Sequence, residues 1–296
     1  MLLQLLPVLA PVFIATAIGF AWARSGAAYP SEFIGRLVMT IGTPCLVVSV
    51  VARTGIDFAL MGQIMLAAAL TMTLMGLIAL VLVRLLRLDL ATYLPPLLFP
   101  NNGNMGLPVC LFAFGQTGLA LALGVFMVMM FATFTLGIVI AAGAGKGTDI
   151  WRTLIRQPVL WAMLVAMLLL ISGAALPLWL DNTLSLLGDF AIPLMMITLG
   201  VSLGRLKVRR WRLSLVMSLL RVVGGGLLGW LVAELLALDG TARGVLIVQA
   251  AMPVAVFNYI LALRYERDHQ EVAAMVVTST ILAFIVLPLL LSQVMA

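Results

Sequence analysis

The sequence predicts an all-α polytopic membrane protein of ten transmembrane helices, arranged as two five-helix repeats of opposite topology. Three observations predict it. The 296 residues are 64% hydrophobic and only 9% charged, with a mean hydropathy of +1.22, whereas a soluble domain carries roughly 25% charged residues. The charges fall in clusters that divide the chain into ten apolar stretches of the length a membrane span needs, about 20 residues each. Short matches also recur between the two halves at a nearly constant offset.

Helix 1 is expected over Leu2 to Trp22. It is retained rather than cleaved, because a signal peptide carries positive charge before its apolar stretch and here the first charge, Arg24, follows it. Helices 2 to 5 are expected over Phe33 to Val51, Phe58 to Val83, Thr92 to Phe114 and Leu119 to Ala142. These make a first repeat, residues 1–142. After a short cytoplasmic connection at 143–150, the second repeat (151–296) holds helices 6 to 10 over Trp151 to Ser172, Leu184 to Leu203, Leu213 to Ala237, Gly244 to Leu263 and Val272 to Val294. Cys45 and Cys110 lie inside spans and are expected as free thiols acting as small apolar residues. No disulfide framework is implied.

The net charge of +6 marks orientation rather than nucleic-acid binding. One face carries Arg24, Arg36, Arg84, Arg87, Lys146, Arg152, Arg156, Arg205, Lys207, Arg209, Arg210, Arg212, Arg264 and Arg267, and the opposite face only Arg53 and Arg243. Cytoplasmic loops carry the excess of Lys and Arg, so the rich face is cytoplasmic and both termini are outside, as in a multi-pass protein of a bacterial inner membrane.

The repeat is read from four matches in order. Pro7-Val8-Leu9 recurs as Pro158-Val159-Leu160, and Ile41-Gly42-Thr43-Pro44 loosely as Phe190-Ala191-Ile192-Pro193. Leu85-Leu86-Arg87-Leu88-Asp89 recurs as Leu235-Leu236-Ala237-Leu238-Asp239, and Pro100 meets Pro253; the offsets are 151, 149, 150 and 153. Because each repeat holds five helices, the second crosses the membrane in the opposite sense, an architecture of many secondary transporters.

Helix 4 contains Pro100-Asn101-Asn102-Gly103-Asn104-Met105-Gly106-Leu107-Pro108, a run that breaks a helix where lipid offers no hydrogen bonds. Such a break persists only inside protein or beside water, and in many-helix membrane proteins it marks a substrate site. Helix 9 is expected to break likewise at Pro253, since proline removes a donor and clashes with the preceding turn. The second half of each helix then begins near the midplane, where N-termini carrying roughly half a positive charge favour an anion. Asn101, Asn102 and Asn104 add amide donors, Gly103 and Gly106 allow close approach, and Gln249, Asn258 and Tyr259 are the remaining polar groups near the expected crossing.

Phe-Pro-Asn-Asn-Gly-Asn-Met-Gly-Leu-Pro at 99–108 resembles the helix 4 crossover of the auxin efflux carrier family, where Pro-Asn is followed by Met-Gly-aliphatic-Pro. Ala250-Ala251-Met252-Pro253 through Glu266 is similar to that family's helix 9 crossover, and Ser279-Thr280-Ile281-Leu282 with Leu287-Pro288-Leu289 to its last helix. The chain thus resembles a bacterial PIN-like member of the bile/arsenite/riboflavin transporter superfamily. The resemblance implies a bile-acid-symporter/sodium-proton-antiporter-like fold, with helices 1, 2, 6 and 7 as scaffold and helices 3–5 and 8–10 as a moving transport domain. It further implies that Asn101 contacts a substrate carboxylate, that Pro100 and Pro253 mark the crossover, and that the protein dimerises through the scaffold. The short 143–150 connection departs from the long regulatory loop of the plant carriers, and the polar Asn102-Gly103-Asn104 departs from their site. Both departures favour small carboxylates such as malonate or malate over auxin.

Two charged residues remain inside or beside spans. Arg221 lies nine residues past Arg212, roughly 13 Å along the helix, too deep for snorkelling alone; a carboxylate partner or a water-lined face is expected, with Asp189, Glu234 and Asp57 as candidate ion-pair partners and direct contact with an anionic substrate as the alternative. Asp189, four residues before Pro193 on the same helical stripe, could titrate if the site is proton-coupled, though an outer-interface or helix-start role suits it better. No cofactor or metal is expected, and coupling to H+ or Na+ is left open. Gly200-Val201-Ser202-Leu203-Gly204 matches a nucleophile elbow but ends a membrane helix, where the glycines suit close helix packing. Gly143-Ala144-Gly145-Lys146-Gly147-Thr148 lacks the strand and the Ser/Thr of a phosphate loop. With a single histidine, His269, in a turn expected to be solvated, an intramembrane enzyme is disfavoured. The expected activity is alternating-access transport of small organic anions, with an anion channel as the nearer rival.

Overall fold

The computed structural model describes residues 2–143, 150–206 and 211–295. The interior of the 143–150 connection, with Lys146 and the Gly-rich run around it, and Lys207, Arg209 and Arg210 lie outside the described residues.

The first half opens with α1 (Leu2–Arg24), followed by α2 (Ser31–Leu37) and α3 (Thr43–Thr54), which a π-helical turn at Val38–Gly42 joins into one rod. Next come α4 (Phe58–Leu85) and α5 (Leu90–Leu98). A π turn at Asn102–Gly106 leads into α6 (Leu107–Ala132), and another at Thr133–Gly137 into α7 (Ile138–Ala142). The second half contains α8 (Ile150–Ile155), α9 (Pro158–Ser172), α10 (Leu178–Asp189), α11 (Ala191–Arg205) and α12 (Trp211–Leu219). A π turn at Leu220–Gly224 then precedes α13 (Gly225–Leu235), α14 (Gly240–Ala250), α15 (Val256–Arg264) and α16 (His269–Val294). Among the described residues, seven helices are long and apolar enough to cross a membrane, and strands are absent.

Helix starts follow the few acidic residues. Asp57 accepts from the N–H groups of Ala59 and Leu60, Asp89 from Thr92, and Asp268 from Glu271, each satisfying donors that the first turn leaves open. Gly115 (φ 67, ψ −158) kinks α6 where helices 4 and 5 were expected to part, a backbone conformation that side-chain-bearing residues rarely adopt. Helix 7 differs from expectation: helical structure starts at Leu178, and the chain is interrupted at Phe190 ahead of Pro193, whose ring cannot accept a straight helical turn before it.

The tightest packing brings α1 onto α11, and α3 lies on α9. A Cβ on Gly200 would overlap the Thr16 carbonyl, and one on Gly19 would overlap that of Ile197. Close backbone approach through small residues is how apolar helices gain contact when lipid offers no hydrophobic drive. It accounts for Gly200-Val201-Ser202-Leu203-Gly204. Outward faces stay apolar: Leu66, Leu70, Leu77 and Val81 of α4 and Leu164, Leu168 and Ile171 of α9 are exposed at helical spacing. Such a surface suits lipid, not water.

Candidate functional site

α5 and α14 both stop inside the protein, and the extended segments that follow them cross. Pro100 and Val254 form an isolated antiparallel bridge. The Asn101 N–H donates to the Pro253 carbonyl (2.7 Å) and the Ala255 N–H to that of Phe99 (3.3 Å). In this register Pro100 occupies the position whose own N–H would point away from the partner, so its missing donor costs no bridge bond. The corresponding outward N–H of Val254 is taken by Ser279 Oγ of α16 (3.0 Å). Backbone groups freed by the breaks are thus largely satisfied within the protein, as the membrane interior demands.

Side chains complete the crossing. Asn102 Nδ2 donates to the Gln249 carbonyl (3.1 Å) and to Gln249 Oε1 (2.5 Å). Asn258 Nδ2 donates to the carbonyls of Phe99 (2.8 Å) and Ala255 (3.2 Å). Gly106 makes room for this: a Cβ there would overlap Gln249 Oε1. Arg221, only 3% exposed, donates from Nη1 to the Leu97 carbonyl (2.7 Å) and from Nη2 to the Ala250 carbonyl. These are last-turn carbonyls of α5 and α14, which have no donor within their own helices.

Donors are left over. Asn101 Nδ2, Gln249 Nε2 and Arg221 Nε are buried without a partner, as are the acceptors Asn102 Oδ1 and Asn258 Oδ1. The restarted helices also begin with first-turn N–H groups, at Gly103, Asn104, Val256 and Phe257, that have no acceptor within their own helix. Buried polar atoms are nearly always bonded, and unsatisfied ones in a native site call for an occupant. Helix N-termini and amide donors favour a negative one.

The profile described as "Membrane transport protein" matches residues 5–291. The chain belongs to that family, the auxin efflux carriers. Similar proteins include an uncharacterized transporter of Methanocaldococcus jannaschii, 29% identical over 197 residues, and an uncharacterized transporter of Methanothermobacter thermautotrophicus, 31% identical over 194 residues. Each alignment covers 64% of this chain, which spans 63% of the length of either curated relative. With seven helices among the described residues long and apolar enough to cross a membrane, this auxin efflux carrier family member is a multi-pass membrane protein.

The structure brings Asn101, Asn102, Gln249 and Asn258 together with Pro100 and Pro253, all buried, and leaves Gly103 and Asn104 half-buried beside them. Pro108 sits in the first turn of α6, where its missing donor is harmless. Tyr259 points elsewhere, its ring meeting that of His269 edge-on at 6.0 Å; His269 is accordingly half-buried rather than solvated. Arg221 corrects the expectation of an ion pair, since the groups it binds are carbonyl oxygens. Of its candidate partners, Glu234 pairs with Arg243 (2.5 Å) and Asp57 caps α4. Asp189 is exposed at the C-terminal end of α10, not at a helix start. Sequence reasoning missed Ser279 as a partner of the break and Gly225, where a Cβ would overlap the Ala250 carbonyl and Arg221 Nη2.

Proposed function

We propose that this protein is a secondary carrier of small organic anions, carboxylates above all, that alternates access by moving one helical domain against another. The carrying observation is the unpartnered buried donor Asn101 Nδ2 beside helix N-termini that restart at the bridge. Neutral amides and backbone N–H groups hold an anion without the permanent charge that would trap it.

Support for the inverted repeat comes from packing that exchanges under the 150-residue offset. In the ten-helix reading, α1 on α11 pairs helix 1 with helix 7, and α3 on α9 pairs helix 2 with helix 6. The Val38–Gly42 turn before Pro44 and the Phe190 interruption before Pro193 occupy matching places. On that reading α1–α3 and α8–α11 form the scaffold and the dimer contact. The remaining helices carry the crossover as an elevator across the inner membrane, with both termini periplasmic.

The test is uptake into proteoliposomes of labelled malonate, malate, lactate, indole-3-acetate and benzoate, with and without Na+ and pH gradients. Saturable, mutually competing flux is the expected result. Asn101→Ala raises KM by about ten- to a hundredfold, the effect of losing a hydrogen bond to a charged group. Ohmic single-channel currents would reject the carrier, and an unchanged KM would reduce the asparagines to structural fillers of a kink.

A further inference from the structure

Arg221 brings a full positive charge into the membrane interior from the π turn Leu220–Gly224, and its hydrogen bonds run to backbone carbonyls rather than to a carboxylate. Those carbonyls, Leu97 and Ala250, lie at the C-terminal ends of the half-helices α5 and α14. A helix C-terminus carries roughly half a negative charge. Two such ends facing one guanidinium balance it, which is why no acidic partner is needed.

In broken-helix transporters, half-helix C-termini and unwound carbonyls are where monovalent coupling cations bind. Here the equivalent carbonyls are occupied by a side chain. Gly225 is part of the arrangement, because any Cβ there would intrude on both the Ala250 carbonyl and Arg221 Nη2. We propose that Arg221 is a resident cation, filling the carbonyl cradle between α5 and α14 that a Na+ ion would otherwise take, so that the protein cycles without Na+ at its crossover. The cycle rests on the carrier reading above; the occupancy of the cradle does not.

The experiment therefore has a stability arm and a flux arm. Purified protein is melted in NaCl, choline chloride and choline chloride with millimolar guanidinium at equal ionic strength, and flux of the best substrate is measured under the same gradients. Wild type is expected to melt at the same temperature in Na+ and choline and to carry substrate at a Na+/choline ratio near one. Arg221→Ala is expected to melt lower and to lose flux about tenfold or more, the order set by two charge-assisted hydrogen bonds. Na+ or guanidinium, but not choline, should restore part of both. Arg221→Lys, which keeps the charge, should remain indifferent to Na+ with a smaller loss.

A wild-type melting temperature that rises in Na+ over choline overturns the proposal, as does an Arg221→Ala protein as stable as wild type. An Arg221→Ala protein destabilised but unmoved by either small cation overturns it too. Wild type that shows the expected melting pattern but moves no anion sinks the carrier reading instead and leaves the cradle assignment standing.

Discussion

At position 225 a single methyl group would intrude on the hydrogen bond between Arg221 and the Ala250 carbonyl. Gly225 is helical, so alanine is favoured there by propensity, by up to about 1 kcal/mol. The added Cβ would nonetheless overlap the Ala250 carbonyl, which is backbone and cannot swing aside, and the Arg221 donor bonded to it. Overpacking of this kind costs about 1–3 kcal/mol, before the loss of a charge-assisted bond. Gly225→Ala is thus expected to lower the melting temperature by several degrees, at roughly 2–4 °C per kcal/mol for a chain of this size, and to mimic the flux defect of Arg221→Ala. A melting temperature at or above wild type would show that Arg221 does not depend on that gap. Much of this site was legible as residues: Asn101, Asn102, Gln249 and Asn258 stand out because amides inside apolar spans have few innocent explanations. Their partners were not legible. Arg221 and Ser279 bond backbone atoms, which carry no signature in the sequence. Tyr259 follows Asn258 directly, but a helical step of about 100° turns it to another face.

Along the elements, glycine has two opposite meanings that only packing separates. Gly200 of α11 lies against the backbone of α1 at Thr16, while a Cβ on Gly62 of α4 would meet nothing within 4 Å. Gly200→Ala should force α1 and α11 apart and lower the melting temperature in detergent, whereas Gly62→Ala should leave it unchanged or raise it slightly through helix propensity. Equal effects of the two substitutions would show that the α1–α11 contact contributes little. The breaks at Pro100 and Pro253 could be located in advance because proline dictates them. The π turns at Val38–Gly42, Thr133–Gly137 and Leu220–Gly224 could not, since an extra residue per turn is set by tertiary contacts rather than by composition. Helix 7 begins at Leu178, earlier than the Leu184 expected from the apolar stretch alone. In the structure Asp181 is within α10 and pairs with Arg53 at 2.7 Å, so its charge is met by a partner on α3.

For the molecule as a whole, the charges that are present decide what drives transport. On the carrier reading, the crossover holds one buried cation, Arg221, against two helix ends, with neutral amides beside it, and any charge fixed in the domain travels out and back in each cycle and cancels. A substrate bearing one negative charge crosses in one direction only, so the net charge moved per turnover is its own. The membrane potential acts on that charge with about 2.3 kcal/mol per 100 mV, and each 1.4 kcal/mol is tenfold in an equilibrium ratio. For an uncoupled monoanion, imposing 100 mV with a potassium gradient and valinomycin is therefore expected to shift the steady-state distribution of lactate or benzoate roughly fifty-fold toward the positive side. Reversing the gradient should reverse the shift, and replacing Na+ by choline should leave it unchanged. A proton-coupled, electroneutral carrier would instead ignore the potential and follow the pH gradient, which would place a titrating group in the transport domain and leave Arg221 as only one part of the charge balance.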